Sequence, residues 1–82
     1  MRLSLKRLQE LMAADDGNLD LKCTPLDSLP DNLTVEGNLD LRYTDVETLP
    51  SSLIVKGWLD LRHTKIKVLP DNVVVLGKVY FN

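Results

Sequence analysis

Four glycines spaced 20 residues apart constrain this chain more than any other feature of its sequence. They begin the segments GNLDLKCTPLDSLPDNLTVE, GNLDLRYTDVETLPSSLIVK, GWLDLRHTKIKVLPDNVVVL and, in truncated form, GKVYFN. Self-similarity at a fixed short period is typical of solenoids, in which each repeat is one coil stacked on the next. The sequence therefore predicts a mainly β repeat solenoid of about three and a half coils over residues 17–82.

We number the repeats as unit 1 (17–36), unit 2 (37–56), unit 3 (57–76) and the partial unit 4 (77–82). Apolar and polar residues alternate in two stretches of each unit, as at 38–42 and more briefly at 33–35, which predicts two half-buried strands. The recurring Leu-Pro before Asp-Asn or Ser-Ser predicts one turn, and the glycine predicts a second corner. A single unit buries too little apolar surface to fold alone, so we expect the units to stack.

The residues before the first repeat predict an N-terminal capping helix within segment 1–16. Leu5, Leu8, Leu11 and Met12 fall on one helical face, and Ser4 stands where an N-cap is expected. With 82 residues in total, helix and repeats together make one small domain. No apolar run approaches the ~20 residues that cross a bilayer, so we expect a cytoplasmic protein with no membrane partner.

The frame LxLxxTx[VI]xxLP, which runs from Leu39 to Pro50 in unit 2, resembles leucine-rich repeats. It looks most like the short 20-residue bacterial kind that carries Leu-Pro, and similar repeats occur in uncharacterised bacterial and bacteriophage proteins. The resemblance implies a small modulator that binds and blocks a host protein, in the host cytoplasm if a phage encodes it. Thr44 replaces the usual asparagine and Glu36 the usual leucine, so a flatter solenoid with two strands per coil is an alternative to a horseshoe.

The composition argues against catalysis, a cofactor or a metal. One cysteine and one histidine exclude a disulfide framework and a structural zinc site, and the common nucleotide, hydrolase and zinc-protease motifs are missing. Stacking aligns Cys23, Tyr43 and His63 in one column. Cys23 and His63 then lie two coils, or about 10 Å, apart, which is too far for thiolate activation. We therefore expect a protein that is not an enzyme.

Charge is distributed unevenly along the chain. The net charge is −2, and residues 16–55 carry −6 whereas residues 56–82 carry +3. The acidic balance disfavours nucleic acid as a partner, although the acidic middle leaves a nucleic-acid mimic open as an alternative function. Columns of Asp20, Asp40 and Asp60 beside Lys22, Arg42 and Arg62 predict a solubilising charge lattice on the outward strand face, and recognition of a partner by that face is the alternative.

The C-terminal third also becomes more apolar and aromatic at outward positions, which predicts binding surfaces there. The expected partner-binding residues are Tyr43, Trp58, Arg62, His63, Lys78 and Tyr80. The expected end interface, for a homodimer, consists of Ile54, Val74, Leu76, Val79 and Phe81. That end could equally bind a different protein or be covered by the chain's own tail, so the oligomeric state stays open.

Overall fold

The computed structural model describes residues 3–81 and contains one helix followed by seven short strands. The elements are α1 (Leu5–Ala13), β1 (Leu19–Asp20), β2 (Thr34–Val35), β3 (Leu39–Asp40), β4 (Ile54–Val55), β5 (Leu59–Asp60), β6 (Val74–Val75) and β7 (Val79–Tyr80). The strands form two parallel sheets, one of four strands in the order β1-β3-β5-β7 and one of three in the order β2-β4-β6. Units 1 to 3 thus each contribute one strand to each sheet.

Strand pairing follows the 20-residue period. Leu39 pairs with Leu19 on one side and Leu59 on the other, and Val55 lies between Val35 and Val75 in the second sheet. The structure therefore shows a small, mainly β, repeat-like fold with two strands in each complete unit. Each strand is two residues long, shorter than the alternating stretch 38–42, because the backbone turns after the aspartate and Tyr43 has a positive φ of 60°.

The core is a column of aliphatic side chains between the two sheets. The leucines on either side of each strand aspartate point inward, and Leu39, Leu41, Leu59 and Leu61 have no exposed surface. The second sheet contributes Val35 and Val55 from the opposite side. The Thr24, Thr44 and Thr64 hydroxyls donate to the carbonyls of Leu21, Leu41 and Leu61 at 2.7–2.8 Å, at the bend after each strand.

The repeated glycines permit close approach between units. The N–H of Gly57 donates to the carbonyl of Gly37 at 2.9 Å, and Gly77 donates to Gly57 at 3.0 Å. A β-carbon at position 57 would overlap the Asn38 Oδ1 atom and lie 2.8 Å from the Gly37 carbonyl oxygen. Glycine is therefore required at this corner by the distance between neighbouring units.

Helix α1 covers the unit 1 end of the core. The Ser4 Oγ atom accepts a hydrogen bond from the Arg7 N–H at 3.2 Å, which confirms the predicted N-cap. Leu8 and Met12 are buried and Leu11 is partly buried, whereas Leu5 is 37% exposed at the edge of the predicted apolar face. Within residues 3–81, the structure has no helix that is long and apolar enough to cross a membrane.

Candidate functional site

The face of the four-stranded sheet carries a ladder of alternating acids and bases, which we call the Asp–Arg ladder (Asp20, Lys22, Asp40, Arg42, Asp60 and Arg62). Arg42 donates from Nε to Asp40 Oδ1 at 3.0 Å and from Nη2 to Asp40 Oδ2 at 2.7 Å. Arg62 binds Asp60 in the same way, at 3.0 and 2.6 Å. Because Arg42 Nε also lies 3.4 Å from Asp60 Oδ2, this arginine links units 2 and 3.

The two later aspartates of the ladder are buried, which differs from the solubilising charge lattice that the sequence predicts. Asp40 is 5% and Asp60 2% exposed, because each arginine lies along its carboxylate in a bidentate pair. The hydrogen bonds from Arg62 hold the pKa of Asp60 below its usual range, although burial opposes this shift. Asp20 stays half-exposed, with its carboxylate 2.7 Å from Lys22 Nζ.

An asparagine ladder runs beside these charges. Asn18 Oδ1 accepts a hydrogen bond from the Asn38 N–H at 2.8 Å, and Asn38 Oδ1 accepts one from the Trp58 N–H at 2.9 Å. Because the Trp58 side chain has no acceptor oxygen, the asparagine ladder ends at unit 3. A cavity of about 260 Å³ lies here and is lined by Asp15, Asn18, Leu19, Asp20, Asn38, Asp40, Arg42 and Trp58.

Trp58, Arg62 and Tyr80, three predicted partner-binding residues, lie together, and we call them the aromatic–arginine cluster. The indole of Trp58 and the ring of Tyr80 are 6.4 Å apart at an interplanar angle of 80°, an edge-to-face contact. The guanidinium carbon of Arg62 lies 5.3 Å from the centre of the Tyr80 ring, within cation–π range. The three residues line a second cavity of about 190 Å³ with Arg42 and Asp60.

Arg42 and Asp60 were not among the predicted site residues. By the 20-residue period Arg42 is equivalent to Arg62 and Asp60 to Tyr80, both members of the cluster, so the repeat could have identified them. Arg42 and Trp58 line both cavities, which therefore adjoin on one face of the four-stranded sheet. This face, from Asn18 to Tyr80, is the candidate functional site.

Tyr43, His63 and Lys78, the other predicted partner-binding residues, line neither of the two cavities. The rings of Tyr43 and His63 stack at 4.3 Å and 7°, on the turns after β3 and β5, and they do not line either cavity. Lys78 has an exposed side chain, and its carbonyl accepts a hydrogen bond from the Leu59 N–H. The predicted site therefore divides into the aromatic–arginine cluster, a stacked pair and a neighbouring lysine.

The unit 4 end of the fold, which we call the open end, presents apolar side chains. Among residues 3–81, strands β6 and β7 are the last strands of their sheets. Of the predicted end-interface residues, Val74, Leu76 and Phe81 are exposed, while Ile54 and Val79 are half-buried. Val68 is a further exposed apolar residue that the prediction left out.

Cys23 is a free, exposed thiol, and no group of three or more His, Cys, Asp or Glu side chains within residues 3–81 is arranged to hold a metal ion. No known protein family matches the chain, and neither a curated protein nor a solved structure matches it.

Proposed function

We propose that this chain is a short leucine-rich-repeat solenoid that acts as a non-enzymatic protein-binding module, with the aromatic–arginine cluster as its binding site. The observation that carries the proposal is the grouping of Trp58, Arg62 and Tyr80 around one cavity on an otherwise polar face. Tryptophan, tyrosine and arginine are the residue types most enriched at the energetic centres of protein interfaces.

The cluster is also held in place before any partner arrives. Asp60 fixes the guanidinium of Arg62 with two hydrogen bonds, and the two rings pack edge to face. Side chains that are already ordered lose less conformational entropy on binding, so more of the contact energy goes into affinity. Tyr80 nevertheless keeps 38% of its surface exposed, and this surface is free to contact a partner.

The mechanism that fits such a module is steric: it covers a surface of its partner and keeps other molecules from it. The repeat motif's resemblance to bacterial and bacteriophage proteins supports a small modulator that blocks a host protein in the cytoplasm. The cluster supplies the anchoring contacts, and the neighbouring cavity beside Asn18 and Asn38 extends the surface toward unit 1.

Differential capture from an extract of the source cells tests this proposal. We expect proteins retained by the immobilised wild-type chain to be lost with the double variant Trp58→Ala/Tyr80→Ala and kept with Tyr43→Ala, an exposed aromatic outside the cluster. The double variant should still fold, because Asn38 bonds the backbone of residue 58 and not its side chain. Circular dichroism checks this, and retention by a folded double variant would refute the proposal.

A second candidate function, a self-assembling homodimer, is favoured by the open end. A two-fold axis through the free edges of β6 and β7 would pair each strand antiparallel with its copy. The molecule measures 29 × 26 × 19 Å, so one end offers on the order of 400–600 Å² per partner, less than the ~800 Å² of a standard interface.

Such a dimer should be weak and dependent on concentration. Light scattering across a concentration series should show a mass that rises above 9.3 kDa for the wild-type chain and stays monomeric for Val74→Asp. A monomer at every concentration would exclude this second function and leave the first unaffected.

A further inference from the structure

The Asp–Arg ladder changes its composition at its last step. Arg42 lies between two carboxylates, Asp40 at 2.7 Å and Asp60 at 3.4 Å. Arg62 makes the equivalent pair with Asp60, at 2.6 Å, but unit 4 carries Tyr80 where the earlier units carry aspartate. The position that Asp60 occupies beside Arg42 is thus taken beside Arg62 by an aromatic ring.

With Tyr80 at the aspartate position, the side chain of Arg62 is more accessible than that of Arg42, its equivalent in unit 2. The side chain of Arg62 is 46% exposed, against 33% for Arg42. The 190 Å³ cavity lies at the same place and is lined by Arg62, Trp58 and Tyr80 together with Arg42 and Asp60. Asp60 uses the Nε–H and one Nη2–H of Arg62, so the remaining guanidinium N–H groups are the donors that a second carboxylate can bind.

We propose that the aromatic–arginine cluster binds a carboxylate of the partner protein, from an aspartate or glutamate side chain, at Arg62. The inference rests on the proposed function and adds the partner's chemistry: an acidic residue enters the cavity and pairs with the exposed part of the Arg62 guanidinium, next to the Tyr80 ring. A ladder arginine can pair with two carboxylates at once, since Arg42 lies close to both Asp40 and Asp60.

The surroundings of Arg62 favour this occupant. The positive edges of aromatic rings attract carboxylate oxygens, and the Tyr80 hydroxyl can donate a further hydrogen bond. Residues 56–82 carry a net charge of +3, and this charge attracts an acidic segment of the partner as it approaches. Asp60 does not repel the incoming group strongly, because Arg42 and Arg62 together balance the charges of Asp40 and Asp60.

Titration of the full chain with N-acetylaspartate N-methylamide tests the inference by nuclear magnetic resonance. Trp58 is the only tryptophan, so its indole N–H reports on the cavity without ambiguity, and the Arg62 Nε–H reports on the guanidinium. We expect a saturable shift of both signals. The neutral N-acetylasparagine N-methylamide should bind roughly tenfold more weakly, because it cannot form a charge-assisted pair.

The matched variants are Tyr80→Asp and Tyr80→Phe. Tyr80→Asp continues the ladder within the chain, so it should fold, occupy Arg62 and abolish binding of the aspartate probe. Tyr80→Phe keeps the ring and should keep the preference for aspartate over asparagine. Arg62→Gln is a second test of the same contact and should also abolish that preference.

Three results would overturn the inference. The aspartate and asparagine probes could bind equally well, or binding of the aspartate probe could survive both Tyr80→Asp and Arg62→Gln. In the third result, inorganic phosphate shifts the two signals and the aspartate probe does not. Capture experiments separate this failure from failure of the proposed function. Partner capture that requires Trp58 but tolerates Arg62→Gln would leave the binding module intact and refute only the carboxylate. Capture that tolerates loss of both Trp58 and Tyr80 would refute the proposed function itself.

Discussion

Replacing the buried carboxylate of Asp60 by alanine tests whether the Asp–Arg ladder stabilises the fold. Asp60 accepts hydrogen bonds from the Arg62 N–H, Nε and Nη2 atoms at 3.1, 3.0 and 2.6 Å, and Arg42 lies at 3.4 Å. Loss of hydrogen bonds to a charged group costs about 1.5–3 kcal/mol. The larger penalty of roughly 3–5 kcal/mol for a stranded buried charge does not apply, because both arginines can turn toward water.

We therefore expect Asp60→Ala to lower the free energy of unfolding by about 1.5–3 kcal/mol, out of roughly 4–12 kcal/mol for a chain of 82 residues. Urea denaturation followed by Trp58 fluorescence and by circular dichroism measures this cost. The slope of the unfolding free energy against urea concentration should stay unchanged if both proteins unfold in two states.

Asp20 provides a matched control in the same column of the repeat. Its carboxylate is half-exposed and pairs with a lysine, so Asp20→Ala should cost only a small fraction of what Asp60→Ala costs. Equal costs for the two substitutions, or an Asp60→Ala variant as stable as the wild type, would refute the reasoning from burial.

Three further stability predictions follow from the packing between units. Gly57→Ala should destabilise the fold by about 1–3 kcal/mol or more, since its β-carbon would overlap Asn38 and crowd the Gly37 carbonyl; urea denaturation would show no such loss if the corner relaxes. Leu41→Ala shortens a side chain of the closed core and should lower the free energy of unfolding by about 2–5 kcal/mol. Equal melting temperatures for Leu41→Ala and the wild type would contradict that packing. Because the pKa of Asp60 is lowered in the folded protein, its contribution to stability should be complete above about pH 4 and be lost as the pH falls through the lowered value. Asp60→Asn should show a shallower loss of stability with acid than the wild type does, and identical acid profiles would count against the pairing.

Much of the fold follows from the repeat period, because strict spacing brings equivalent residues together whatever the details of the turns. The alignment of Leu39 with Leu19 and Leu59 was predicted in this way and is confirmed. The N-cap at Ser4 was predicted from the apolar helical pattern that follows it and is also confirmed. The approach of Trp58 to Tyr80 also follows, since neighbouring units place their outward residues side by side.

Burial of the ladder aspartates could not be predicted from the alternation of residues. A period of two assigns Asp40 to the face away from the core, but it does not say that an arginine will lie along the carboxylate and exclude water. The asparagine ladder depends on backbone geometry at the glycine corner, where Asn38 Oδ1 meets the Trp58 N–H. Both features depend on side-chain directions that the repeat pattern leaves undetermined.

Site-specific photo-crosslinking measures most directly whether the aromatic–arginine cluster contacts a partner. A photoreactive p-benzoylphenylalanine replaces Lys78, an exposed residue beside the cluster, in one variant and Lys67, an exposed residue outside it, in another. Irradiation in extract of the source cells should yield a discrete covalent protein adduct from position 78 and none from position 67. Equal adducts from both positions, or an adduct from position 67 alone, would contradict the account.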